Sequence, residues 1–93
     1  MTLERNLQRS ILKRLARVPR SWWVKFDGST SGVPDVLGCV YGRFVAMELK
    51  QEGRYPTKMQ RYMMARIEQA GGIVGVVRSV EEALALVDRA LVK

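Results

Sequence analysis

Gly32-Val33-Pro34-Asp35, followed one short hairpin later by Glu48-Leu49-Lys50, is the stretch around which the whole chain reads. It sets an aspartate at the mouth of one predicted strand and a glutamate and a lysine, two residues apart, near the end of the next. Side chains alternate across a strand, so Glu48 and Lys50 share a face. A two-residue loop at Tyr41-Gly42 pairs Val40 with Arg43, and that register sets Asp35 directly opposite Glu48. Tyr-Gly lacks the Asn or Asp preferred at the first position of a type I′ turn. A three-residue loop with a bulge is therefore the competing register, and it would shift the pairing.

Directly opposed residues have Cβ atoms roughly 4.5–5.5 Å apart, and like charges there repel. A divalent cation between the two carboxylates would convert that repulsion into binding, which is the core of a metal-dependent phosphodiesterase site. The plainer alternative makes Pro34-Asp35 a turn and Glu48-x-Lys50 a solvated strand end. The G-x-P-D run before the hairpin favours the site.

Outward from this centre, helical and strand periodicities alternate. Leu3, Leu7, Ile11, Leu15 and Val18, with Leu12 alongside, predict a helix from residue 3 to about 17, with Thr2 as N-cap and Pro19 as the stop. Ser21 to Phe26 reads as a strand carrying two tryptophans. As strand neighbours, Trp22 and Trp23 face opposite ways, so both sheet faces need cover. Asp35 to Val40 and Arg43 to Lys50 form the hairpin. Thr57 caps a helix with Met59, Met63, Ile67 and Ala70 inward, ended by Gly71-Gly72. Ile73 to Val77 is a short buried strand. Ser79-Val80-Glu81-Glu82 fits a capping box opening a last helix, with Ala83, Leu84, Val87 and Leu91 inward. The order α-β-β-β-α-β-α predicts an α/β fold with a mixed central sheet flanked by helices. No repeat, linker or low-complexity segment interrupts it, so residues 1–93 read as a single domain.

Composition narrows the chemistry. The chain has no histidine, which removes histidine bases and histidine metal sites, and Cys39 is alone, which removes an internal disulfide. Sixteen Lys and Arg against nine Asp and Glu give a net charge of +7, a balance that favours a polyanionic partner. Arg5, Arg9, Lys13, Arg14, Arg17 and Arg20 load the first segment, while Lys50, Arg54, Lys58 and Arg61 cluster around the candidate site. Lys25, on the first strand, is a further candidate phosphate contact. No run approaches the ~20 apolar residues of a membrane span. Without a signal-peptide core near Met1, the expected location is the cytoplasm.

Gly32-Val33-Pro34-Asp35, the apolar hairpin strands, Glu48-Leu49-Lys50 and a helix opening Thr57-Lys58-Met59-Gln60 together resemble the PD-(D/E)XK nuclease superfamily. Within it, the chain is most similar to the VRR-NUC family, the virus-type replication-repair nucleases. The resemblance runs from Glu4 through Gly71-Gly72 and the strand after it, and implies a restriction-endonuclease-like core. It implies Asp35 and Glu48 as metal ligands, completed by the backbone carbonyl of Leu49. Lys50 would orient or activate the attacking water, Glu4 would reach toward the metal, and Gln60 would serve the site or the DNA backbone. The implied cofactor is Mg²⁺, with Mn²⁺ substituting and no small-molecule cofactor. The implied activity is hydrolysis of phosphodiester bonds in branched or structured DNA, foremost as a dimeric Holliday-junction resolvase. A flap or nicked-duplex nuclease and a non-catalytic basic DNA-binding module are the alternatives. Small standalone members of this kind occur in phages and bacteria.

Overall fold

The computed structural model describes residues 3–92. Seven elements follow in the expected order: α1 (Leu3–Leu15), β1 (Ser21–Lys25), β2 (Val36–Val40), β3 (Arg43–Leu49), α2 (Lys58–Gln69), β4 (Ile73–Val77) and α3 (Val80–Leu91). The N-cap expected at Thr2 lies outside the described residues. Helix α1 stops two residues earlier than its apolar period, because the chain tightens into turns that bring Arg17 N–H to the Arg14 carbonyl and Val18 N–H to Leu15.

The strands form one mixed sheet in the order β1-β2-β3-β4, with β1 and β2 antiparallel neighbours, β2 and β3 antiparallel, and β3 and β4 parallel. The hairpin turn is the two-residue form. Tyr41 (φ 50°) and Gly42 (φ 78°) both adopt positive φ, the signature of a type I′ turn, and Val40 pairs with Arg43. A tyrosine rarely accepts that conformation. Here the Arg20 carbonyl receives the Tyr41 N–H at 3.1 Å and the Arg20 guanidinium lies 5.3 Å from the ring centroid.

One sheet face carries the main core. Val36, Val40, Val45, Met47, Leu49, Ile73 and Val77 pack there against Ile11 and Leu15 of α1 and Ala83, Leu86, Val87 and Ala90 of α3. The apolar stripe of α3 is rotated from the expected one: Leu86 and Ala90 are buried, whereas Leu84 is half-buried and Leu91 exposed. Gly38 lies beneath the Trp23 ring, where any side chain would collide with it. Trp23 is thereby drawn into the core.

The second face is only partly covered. Helix α2 lies over β4, and none of its residues is fully buried. Met63 and Ile67 are half-buried, but Met59 and Ala70 are exposed, contrary to the expected inward face. Trp22, at 64% exposure, projects from the uncovered part beside Val24, Cys39 and Phe44. The expectation that both tryptophans need cover holds for Trp23 alone.

Candidate functional site

The hairpin register delivers the acidic pair. Val36 pairs with Met47, so the next position on each strand brings Asp35 opposite Glu48. Asp35 is held at that place from three sides. Its carbonyl accepts the Phe26 N–H at 2.8 Å, its Oδ2 accepts the Leu49 N–H at 2.8 Å, and buried Pro34 fixes the backbone before it. Gly32 sets the approach of this loop. Its φ of 83° belongs to the left-handed region, and a Cβ there would stand 2.8 Å from the Met59 carbonyl oxygen of α2. The G-x-P-D run therefore packs directly on the helix that carries Gln60.

Glu48 is 1% exposed, the single charged residue in the interior among the described residues. Its Oε2 accepts from Gln60 Nε2 at 3.0 Å and lies 3.8 Å from Lys50 Nζ. Its Oε1 is buried with no hydrogen-bond partner. A carboxylate in that setting is costly. Burial, then the nearby charge of Asp35, push the Glu48 pKa up from 4.5 to about 8. The Lys50 ammonium opposes that rise and Glu4 adds to it.

Gln60 serves two masters. Its Oε1 accepts the Thr57 N–H at 2.8 Å while the Thr57 hydroxyl accepts the Gln60 N–H at 3.1 Å, a complete capping box. The remaining amide nitrogen is thus aimed at Glu48 by the start of α2 itself. Lys50 is 16% exposed and sits where β3 and β4 end together, its N–H on the Val77 carbonyl at 3.1 Å.

A cleft of about 270 Å³ opens beside Asp35, lined also by Glu4, Arg5, Gln8, Lys25 and Leu49 among others. Glu4 reaches this cleft from the first turn of α1. Among the described residues, however, no three His, Cys, Asp or Glu side chains gather as a metal-holding group. Lys25 lines the same cleft and is paired with Asp27 at 3.5 Å. The other basic residues lie elsewhere. Lys58 is exposed at the start of α2, beside Met59 and Tyr62. Arg61 donates to the Pro56 carbonyl at 2.7 Å, so it also braces the preceding loop.

Arg54 sits on that loop, and its carbonyl accepts from Arg78 Nη2 at 2.6 Å while the Arg78 guanidinium stacks 5.4 Å from the Tyr55 ring centroid. This clamp has no motif in the sequence. Gln8 is a second residue that sequence reasoning passed over. Its i+3 spacing from Arg5 was the available signal.

No family model matches the chain, and no curated relative matches it. Among solved structures, a VRR-NUC domain superposes on it with a TM-score of 0.80 at 25% sequence identity, covering 95% of this chain and 97% of that one. No helix among the described residues is long and apolar enough to cross a membrane. The likeness spans nearly both chains end to end, takes in every element that carries the acidic pair, and supports a nuclease-like fold of the VRR-NUC type.

Proposed function

We propose that this protein is a divalent-metal-dependent endonuclease acting on branched or structured DNA, with Mg²⁺ as its cofactor and Mn²⁺ able to replace it. The observation that carries the reading is the buried Oε1 of Glu48, without a partner, opposite a second carboxylate, Asp35, that lines an open cleft. Buried polar atoms are nearly always satisfied, and an orphaned one calls for an explanation such as an ion.

The donor set suits a hard cation. Asp35 and Glu48 offer carboxylate oxygens and Leu49 a backbone carbonyl, all oxygen ligands, and Mg²⁺ is commonly bound through one or two carboxylates plus water and phosphate. When bound, such an ion supplies Lewis-acid polarisation of the phosphate and charge stabilisation of the leaving oxygen. The chain's own residues do the rest. The Leu49 N–H fixes Asp35 Oδ2, which leaves its other oxygen directed by the backbone. Gln60 fixes Glu48 Oε2, which leaves Oε1 as the free donor. Lys50 carries a compact positive charge beside the carboxylates, suited to orient a water and to meet negative charge developing on the phosphorus-bound oxygens. Glu4, at the cleft wall, would act through an intervening water. Lys25, Arg54, Lys58 and Arg61 would meet backbone phosphates.

Within this class, a homodimeric Holliday-junction resolvase is the reading we favour. Each chain offers one acidic pair, and symmetric cutting of a four-way junction requires two. Exposed Tyr62 and half-buried Met63 on the incompletely packed α2 are candidates for the two-fold contact. The test is a panel of labelled duplex, flap, fork and four-way junction DNA with Mg²⁺, Mn²⁺ or EDTA. Metal-dependent, paired cuts in the junction support the resolvase reading. Cutting of flaps alone by a monomer would reduce it to a flap nuclease.

A further inference from the structure

We propose that the seam between α1 and the outer strand β1 is a subsite for single-stranded DNA, leading an unpaired segment away from the acidic pair. The proposal rests on the nuclease reading and extends it from the reacting phosphate to the strand that carries it.

Three adjoining hollows make up the seam. The 270 Å³ cleft at Asp35 and Leu49 shares Arg5, Gln8 and Lys25 with a hollow of about 590 Å³ further along α1. That hollow shares Leu12 and Lys25 with a third, of about 490 Å³, bounded by Ala16, Trp22, Trp23 and Val24. Shared walls make them one groove. Its helical side is one face of α1, where Arg5, Gln8, Arg9 and Leu12 are linked by spacings of three and four, continued by Ala16 just past the helix end. At 1.5 Å per residue, Arg5 to Ala16 spans about 16 Å. Its other side is β1, an outermost strand of the sheet, so the groove is open along its length and a strand can enter sideways.

The lining changes character along the groove. Carboxylates stand at the start, the cations Arg5, Arg9 and Lys25 in the middle, and two indoles at the far end. Neighbouring strand residues point to opposite faces, and both Trp22 and Trp23 line the hollow at this outer strand. Trp22 is the more open, at 64% exposure. Duplex backbone alone would call for cations without aromatics. Cations interleaved with aromatic faces suit an unpaired strand, whose phosphates meet positive charge and whose bases stack on rings. Flapped and forked DNA supply such a segment next to the bond to be cut, whereas a fully paired four-way junction does not.

The test measures fluorescence anisotropy in EDTA, where no cutting occurs, with one duplex prepared blunt and with a short single-stranded tail. The readout is the ratio of tailed to blunt affinity within each protein, which cancels any general loss of fold or association. Wild type is expected to prefer the tailed DNA. Trp22→Ala and Arg9→Gln should each cut that preference by about tenfold, consistent with the loss of one stacked base or one phosphate contact. Trp22→Phe should restore it. A wild-type ratio near unity, or variants with an unchanged ratio, would overturn the subsite. Mg²⁺-dependent cleavage by wild type is scored separately: its absence sinks the nuclease reading, whereas cleavage with an unchanged ratio sinks the subsite alone.

Discussion

Gln60 donates from Nε2 to Oε2 of Glu48 at 3.0 Å while its Oε1 closes the capping box of α2 on Thr57. The helix start and the buried acid are thereby one unit. Removing the amide should cost both. Gln60→Ala is expected to lower thermal stability by about 1 kcal/mol through the lost cap and to reduce turnover about tenfold. DNA affinity should stay close to wild type, since the amide orients a carboxylate rather than contacting phosphate. Gln60→Glu keeps the cap acceptor but sets a like charge beside Glu48, so turnover should fall further while the helix remains capped. Steady-state cleavage and a melting curve for each variant check this.

The raised pKa of Glu48, about 8 in the folded chain against 4.5 ordinarily, makes stability pH-dependent in the absence of metal. The folded state holds this proton more tightly than the unfolded state. Its contribution is therefore fully present below about pH 4.5 and is lost as pH rises toward 8. Melting temperature in EDTA should fall between pH 5.5 and 8.5 by an amount worth a few kcal/mol at most. Glu48→Gln should flatten that slope. Millimolar Mg²⁺ should raise the wild-type melting temperature at the alkaline end, because binding to the folded chain offsets the unpaired charge.

Lys50 and Lys58 should separate catalysis from binding. Lys50→Ala is expected to lower kcat much more than affinity, since its proposed role lies in the transition state. Lys58→Ala should weaken binding to all sequences and flatten the salt dependence by about one unit of slope. Arg61 should behave like Lys58 with an added stability loss, because it also holds the Pro56 carbonyl. Equal binding losses from Lys50 and Lys58 would argue against this division.

Gly32→Ala should destabilise the fold by about 1–3 kcal/mol. The residue has φ of 83°, and a Cβ would press on the Met59 backbone at 2.8 Å. Urea denaturation gives the stability change. Because the same contact seats the G-x-P-D loop on α2, turnover of the folded fraction should fall as well.

Element order and strand register were legible because the sequence states them locally. Val40 and Arg43 flank a two-residue loop, and period-two alternation then carries the pairing to Asp35 and Glu48 without reference to the rest of the chain. Type I′ geometry at Tyr41 was harder to foresee, because the support comes from Arg20, twenty-one positions away. Which apolar residues of α2 and α3 turn inward was less legible. Both stripes are wide, and the rotation that buries Leu86 and Ala90 depends on where β4 and α1 meet α3. Gln60 was visible as a polar residue near a helix start, but its double hydrogen bonding needs the third dimension. The Arg78–Tyr55 clamp and the place of Gln8 in the cleft were invisible for the same reason: each joins elements distant in sequence.

The most direct test of the acidic pair is the Mg²⁺-dependent cleavage rate of one branched DNA by wild type, Asp35→Asn and Glu48→Gln under identical conditions. Each substitution keeps the size of the side chain and removes one proposed ligand charge. Both variants should remain folded, with a cooperative melting transition and DNA affinity close to wild type, and cleavage should fall by at least about a thousandfold, a loss on the order of 4 kcal/mol of transition-state stabilisation. Near-wild-type cleavage by either folded variant would contradict the account, because the scissile phosphate would then be served by some other group.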